Sequence, residues 1–557
     1  MADKKRTRES RAAIERLYIT MRHLFIRGSY KPLGVSGKSL IDALLVLNPE
    51  IYGAMSDGER VELDGLLYVM ERLPDGIEEC RMIKLIAREG FENAGYERIV
   101  PIKRRRNCYR VDKDRMYIEM TRGRSDIYDI LTHLTFLFIE ANKIKNHCIN
   151  PKGDVQEDWY RLEKVVEAES GGEDMDELRA AVYLSNIIGR TLEETKVAIE
   201  KFQKSNVGNS LYHIVYHLGR VAIAEEKHNH DKQISFSREL RDIVGQHAYG
   251  EKWSDQIKSY IYSQGWIGRP IHVISANMHS VMNTLYGFEA LKEENPFVSL
   301  KDLAFATSQP DNGDLRNQIS EFALVHGMHE IKDTSGTNLT VQIIDVGQLQ
   351  AKWLPSDLGI KTIPNKPPVL IVMDYAFGEQ AYECLDELLK PYERDDQLFP
   401  LNVESVSVMG KAGILEGEKG DIMIPTAHVF EGTADNYPIN NQLAAADFQV
   451  DDLKVFEGTM ITVLGTSLQN HDILTHFLTS TWNAVGLEME GAHYQKAIQS
   501  AAKIRLSIRE DVDLYYAYYA SDNPLKSGST LASGSLGVEG ILPTYLITEK
   551  ILQKILQ

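Results

Sequence analysis

Gly486-Leu487-Glu488-Met489-Glu490-Gly491-Ala492, followed about thirty residues later by Tyr519-Ala520-Ser521-Asp522-Asn523-Pro524-Leu525, decides how the C-terminal part of this 557-residue chain is read. Ala484–Glu488 has the apolar character of a buried strand and runs straight into a helix start at Gly491. Leu514–Ala520 reads as a second buried strand, and it ends on an acid. Upstream the same alternation continues. Strands are expected at 339–346, 369–374, 404–409, 421–426 and 459–464, and helices at 378–389, 471–481, 491–504 and 542–556. Apolar strands alternating with helices mean an α/β layer fold around a largely parallel or mixed sheet.

In such folds ligands sit beyond the carboxyl ends of strands. Three strand ends carry small-residue turns: Asp374-Tyr375-Ala376-Phe377-Gly378, then Gly410-Lys411-Ala412-Gly413, then Gly465-Thr466-Ser467. Glycine there lets backbone approach a ligand, and a helix start offers free N–H groups. The two acidic elements complete the set. A glutamate at a helix start can accept hydrogen bonds from two neighbouring hydroxyls. An aspartate at the end of a buried strand can hold or pass a proton to a leaving group.

Residues 1–332 read mainly as helix, with apolar positions at helical spacing in Arg8–Ile26, Lys38–Leu47, Ile127–Ile144 and Ser210–Lys227. A short strand pair is expected at 98–102 and 115–120. The polar stretch at 150–175 offers a subdivision, and Asp333-Thr334-Ser335-Gly336-Thr337-Asn338 is the expected domain joint, giving domains 1–332 and 333–557. At 269–280 an apolar strand enters a helix; Ser275, Asn277 and His279 could face a ligand there, but Asn277 as a helix cap is preferred.

Hydrophobic residues make up 43% of the chain and charged residues 25%, ordinary for a globular protein of more than one domain. The net charge of −18 is uneven, for from Ile331 onward 16 basic residues face 30 acidic ones. That balance argues against a nucleic-acid surface in the C-terminal part. The basic cluster Lys103-Arg104-Arg105-Arg106 reads as a solvated turn. No apolar run is long enough to span a membrane, no secretory signal opens the chain, and four scattered cysteines suit a reducing cytoplasm. His213 and His217, four apart on one helix, could begin a metal site, but the sequence specifies no third ligand, so neither metal nor cofactor is expected.

Over about residues 365–557 the chain resembles the nucleoside phosphorylase and nucleosidase superfamily, which includes purine and uridine phosphorylases, methylthioadenosine nucleosidases and AMP nucleosidases. The resemblance rests on the glycine turn after 369–374, on Gly410–Gly413 with Gly420-Asp421, on Glu488-Met489-Glu490-Gly491-Ala492, and on Ser521-Asp522. It implies a three-layer domain with a mixed central sheet. It further implies that Glu490 holds the ribose 2′- and 3′-hydroxyls with Met489 under the sugar. Glu488, Gly378, Gly410 and Gly413 would complete the substrate site, and the turn holding Thr466 and Ser467 would pack against the base. Asp522, oriented by Ser521, would be the acid that protonates a departing purine. The expected activity is cleavage of an N-glycosidic bond in a homo-oligomer acting on a small nucleoside or nucleotide.

Two departures qualify that implication. From Ile331 onward the arginines are Arg394, Arg505 and Arg509, none in a glycine turn, so water is expected over phosphate as nucleophile. Leu339–Val346 lacks the glutamate that activates water in family hydrolases, leaving Asp345, Asp374 and His428 as candidate bases. A silent nucleotide sensor and a phosphorylase are the alternatives. No family resemblance is recognised in the first 330 residues.

Overall fold

In the computed structural model the described residues are 2–103, 106–150, 152–172, 176–228, 230–293, 297–433, 435–448, 453–527 and 537–557. They form two units, one made of Met1–Thr121, Asp126–Gln246 and Ser467–Ile473, the other of Arg122–Ser125, His247–Thr466 and Leu474–Gln557.

The first unit is rich in helix: α1 (Ala2–Arg27), α2 (Val35–Leu47), α3 (Leu63–Met70), α4 (Gly123–Cys148), α5 (Glu157–Gly171), α6 (Glu177–Ile188), α7 (Leu192–Lys204), α8 (Leu211–His228) and α9 (Arg238–Gln246). It also holds a sheet that the sequence only half disclosed. Its strands are β1 (Ser29–Tyr30), β2 (Met82–Ile86), β3 (Glu97–Ile99), β4 (Cys108–Arg110), β5 (Arg115–Glu119) and β6 (Gln233–Phe236), in the order β1-β6-β2-β5-β4-β3. Within the expected subdivision at 150–175 lies α5, so that polar stretch is mostly a helix; residues 151 and 173–175 lie outside the described residues. Of the basic cluster, Arg104 and Arg105 lie outside them too, Lys103 pairs with Glu71, and Arg106 is buried between Asp126 and Asp129 at 2.5 and 3.0 Å.

The second unit holds strands β7 (Ile271–Ser275), β8 (Met328–Ile331), β9 (Val341–Asp345), β10 (Val369–Met373), β11 (Tyr392–Arg394), β12 (Gln397–Phe399), β13 (Val403–Ile414), β14 (Ile422–Phe430), β15 (Asn436–Pro438), β16 (Val455–Thr462), β17 (Ala484–Glu488) and β18 (Asp513–Asp522). Its helices are α10 (Ala248–Ser263), α11 (Met278–Ala290), α12 (Leu300–Ser308), α13 (Gly313–Val325), α14 (Gln380–Leu388), α15 (His471–Thr479), α16 (Gly491–Gln499), α17 (Pro524–Ser527) and α18 (Ile541–Leu556). Ten strands form one mixed sheet in the order β15-β14-β16-β17-β13-β7-β10-β9-β8, with β18 paired to both β13 and β14. The ladders β13–β18, β18–β14, β14–β16, β16–β17 and β17–β13 close five strands into a ring, and β15 adds to β14 outside it.

Period-2 alternation sorts the side chains of β10. Val369, Ile371 and Met373 join a core with Trp253 of α10, Cys384 of α14 and Tyr494 of α16. Leu370 and Val372 join another core with Leu285 of α11, Leu303 of α12 and Ile551 of α18. Helices therefore cover both faces, as a sheet buried on both sides requires. The α/β reading with a mixed central sheet holds.

The expected joint at 333 falls inside this unit. β7 lies in the sheet interior, parallel to both β10 and β13, and so belongs to the same unit. Asp333–Asn338 is a turn between β8 and β9, tied by the Asp333 carboxylate, which accepts from the amides of Ser335, Gly336 and Asn338. Its polar composition marked a turn rather than a boundary. No described helix is long and apolar enough to cross a membrane.

Candidate functional site

Register aligns four strand ends. Met373 sits opposite Ser275, Ser275 opposite Val408, and Val408 opposite Tyr516, all in parallel pairs. Beyond that line run Ala276-Asn277, Asp374–Glu379, Gly410–Gly413 and Tyr518–Asp522. Asn277 caps α11, its side chain accepting from the Ser280 amide at 3.1 Å, while His279 is exposed rather than packed. Ser275 Oγ lies 2.8 Å from Tyr494 Oη, which ties β7 to α16.

Glu488 and Glu490 do different work. Glu488 is buried at the end of β17 and accepts from the Thr462 hydroxyl and from the amides of Glu490 and Gly491, bracing the start of α16. Burial pushes its carboxyl up to about 7 despite those donors. Glu490 is half-buried; its Oε1 accepts from the Gly378 amide at 2.7 Å and its Oε2 from the Met489 amide at 3.3 Å. Burial first, then the Glu488 charge, pushes Glu490 up to about 8, with Lys411 pulling the other way. Gly378 has φ +55, and a Cβ there would sit 2.3 Å from Ser125 Oγ, so glycine is required for this approach. Met489 Cε lies 3.8 Å from that same point.

Asp522 closes β18. Its Oδ1 accepts from Ser521 Oγ at 2.7 Å, whereas its Oδ2 is buried and has no hydrogen-bond partner among the described residues. Burial raises its pKa; the Ser521 hydroxyl and the charges of Lys411 and Lys419 act against that rise. A bulge in the β13–β18 ladder between Ala412 and Gly413 sets Gly413 opposite Asp522. Lys411 thus acts on both Glu490 and Asp522.

Gly410 and Gly413 lie within β13 rather than in a turn after it, because the strand continues to Ile414 on the support of β18 and β17. Gly410 faces Tyr375 and Tyr518, whose ring atoms lie 3.8 and 3.9 Å from where its Cβ would be. The turn at 465–469 divides: Thr466 is counted with the second unit, whereas Ser467 belongs to the first, where it hydrogen-bonds Tyr52.

The candidate bases separate as well. Asp345 pairs with Arg269 at 2.6 Å and stands opposite Val369, at the far end of β10 from the site. Asp374 is at the near end, its Oδ1 accepting from the Tyr375 amide at 2.8 Å. His428 is buried beneath α16, with Nε2 2.9 Å from Tyr518 Oη and Nδ1 unpartnered; burial depresses it to about 3, which keeps it neutral. The structure also brings two arginines that distance in sequence concealed. Arg124 Nη1 bonds Glu379 Oε1 at 2.9 Å, and the Arg122 guanidinium stands 6.0 Å from the Phe377 ring centroid. The arginine count from Ile331 onward had left both out.

In the first unit the paired histidines acquire a third donor. Glu79, His213 and His217 place one ligand atom each within 4.8 Å of one another. Glu79 is 134 positions from His213 in sequence, so spacing alone could not have found it.

Residues 38–303 and 292–557 match the model of a family of unknown function, DUF6909. The chain belongs to that family. No curated protein matches the sequence. Among solved structures, a futalosine hydrolase mutant of Helicobacter pylori is 11% identical, covering 51% of this chain and 98% of its own, with a TM-score of 0.29. The 5′-methylthioadenosine/S-adenosyl homocysteine nucleosidase of Helicobacter pylori is 12% identical, covering 52% and 97%, with a TM-score of 0.28. Uridine phosphorylase from Schistosoma mansoni in complex with thymidine is 12% identical, covering 56% and 91%, with a TM-score of 0.30.

Proposed function

We propose that the second unit binds a purine nucleoside or nucleotide and breaks its N-glycosidic bond. The observation that carries this reading is Asp522, a carboxyl at a strand end with one oxygen fixed by Ser521 and the other buried without a partner. A buried polar atom left unpaired is costly, and a purine ring nitrogen would satisfy it. Burial also keeps the proton on Asp522 to higher pH, as a general acid needs. As the C1′–N bond breaks, the electron pair goes to the base and the Asp522 proton to its ring nitrogen. The ribose carries oxocarbenium character until a nucleophile adds at C1′.

Glu490 is the proposed acceptor for the two ribose hydroxyls, held in place by the Gly378 and Met489 amides, while Glu488 sets the helix start that presents it. Met489, Gly410 and Gly413 are assigned to the wall beside the substrate, and Thr466 to the base side. Water is the proposed nucleophile, with Asp374 the acid placed at the same strand ends to accept its proton. Phosphate is the second reading, favoured by Arg122 and Arg124 at the turn beside Glu490. A homo-oligomer belongs to the same proposal and is tested by light scattering on the purified chain.

The test incubates wild type and Asp522→Asn with nucleosides and nucleotides and follows free base by chromatography. Base release by wild type and its loss in Asp522→Asn support the reading. Equal release by both would refute Asp522 as the acid. Ligand-induced thermal stabilisation without release would identify a silent sensor instead.

A further inference from the structure

We propose that the first unit holds one zinc-class divalent cation between the 3-10 turn Ile77–Glu79 and helix α8, liganded by Glu79, His213 and His217. The donors come from two elements that fold brings together. His213 and His217 lie one turn apart on α8, with ring centroids 4.2 Å apart. Glu79 Oε1 stands 3.0 Å from His213 Nε2. Zinc bonds of about 2.0–2.1 Å at tetrahedral angles set donors roughly 3.3 Å apart, so this pair already has the spacing of two ligands. The remaining donor separations, within 4.8 Å, close with small side-chain rotations.

Three further observations point to a cation rather than to a simple ion pair. His217 Nδ1 is buried and has no hydrogen-bond partner among the described residues. Glu78 is fully buried, and its Oε1 lies 3.6 Å from His213 Nε2 and accepts from Asn209 Nδ2 at 2.6 Å, yet its Oε2 is unpartnered. A buried carboxylate of this kind calls for positive charge beside it. Arg110 Nη2 holds the other oxygen of Glu79 at 2.6 Å, which orients the carboxylate and leaves Oε1 toward the histidines, in the manner of an outer-shell partner. Two imidazoles and a carboxylate suit zinc over magnesium or calcium, which prefer all-oxygen sites. The Glu79 and His213 side chains are 22% and 19% exposed, enough for a cation to enter and for water to complete its shell.

The experiment uses the full-length chain without an affinity tag, stripped by a chelator. Zinc is titrated in competition with a chromophoric chelator, and cobalt is added separately to read coordination from its visible spectrum. The expected result is one site per chain with submicromolar affinity. Binding should weaken at least tenfold in His217→Ala and in Glu79→Gln, and stay unchanged in the double variant His228→Ala with His230→Ala. The cobalt protein should show the intense visible bands of a four- or five-coordinate site. Zinc binding untouched by His217→Ala and Glu79→Gln, or none at all, overturns the proposal. The cobalt spectrum decides the question on wild type alone should a variant fail to fold: the weak bands of hexaaqua cobalt would equally overturn it.

Discussion

Gly378→Ala perturbs the candidate site at one backbone atom and its consequences can be worked through. At φ +55 an alanine is strained by roughly 1 kcal/mol. Its Cβ would lie 2.3 Å from Ser125 Oγ and 2.5 Å from Ser125 Cβ, a clash that costs about 1–3 kcal/mol to relieve. Relief moves the Gly378 amide away from Glu490 Oε1, and a hydrogen bond to a carboxyl held largely protonated contributes about 0.5–1.5 kcal/mol. The single variant should therefore lose roughly 2.5–5.5 kcal/mol of stability. Ser125→Gly alone should lose about 1 kcal/mol, through the Glu379 amide that donates to Ser125 Oγ. Because Ser125→Gly deletes both clashing atoms, the double variant should recover about 1–3 kcal/mol of the Gly378→Ala loss. Denaturant midpoints of the four proteins measure the coupling. Strictly additive losses would refute the close approach of Ser125 to Gly378, and with it the account of why glycine stands there.

Three further outcomes are expected. Gly491→Ala would place a Cβ 2.2 Å from His428 Nε2 and 2.8 Å from Glu488 Oε1, both buried and hydrogen-bonded, so a loss of about 3 kcal/mol should appear in the same midpoints. Glu383, fully enclosed, has its carboxyl pushed up to about 8 from 4.5 by burial and by Glu379. Its folded form keeps a proton that the unfolded chain releases above pH 4.5. Stability is therefore intact below pH 4.5 and falls as pH rises through 8, by at most about 5 kcal/mol, so thermal midpoints at pH 5 and 8.5 should differ more for wild type than for Glu383→Gln. Glu490→Gln should raise KM for a nucleoside about tenfold or more with a smaller change in kcat, whereas a loss confined to kcat would count against ribose binding by that residue.

The sheet of the second unit was legible because its strands are short apolar runs bounded by turn residues. Ala484–Glu488 is strand from end to end, and the strands expected near 369–374 and 514–520 lie within a few residues of β10 and β18. β13 was read too short, since Gly410–Gly413 looks like a turn until β18 pairs with it. β7 was read as a strand but assigned to the wrong unit. Its parallel partners lie about 100 and 130 residues downstream, and no local pattern records such a pairing. In the first unit the strands expected at 98–102 and 115–120 meet β3 and β5, whereas β1, β2, β4 and β6 escaped for the same reason, being two to five residues long among helices. At the site, Glu490 and Asp522 could be picked out because each follows an apolar strand. Arg122, Arg124 and Glu79 could not, because what makes them candidates is proximity across more than 100 positions of chain.

The central claim is that Asp522 protonates a departing base, and the most direct measurement is free base released from a purine nucleoside and nucleotide panel, with and without phosphate, by wild type and by Asp522→Asn. The account predicts release by wild type without phosphate and its loss in Asp522→Asn. Release that requires phosphate would give the nucleophile's place to phosphate beside Arg122 and Arg124. Undiminished release by Asp522→Asn, or no release from any member of the panel, would contradict the account.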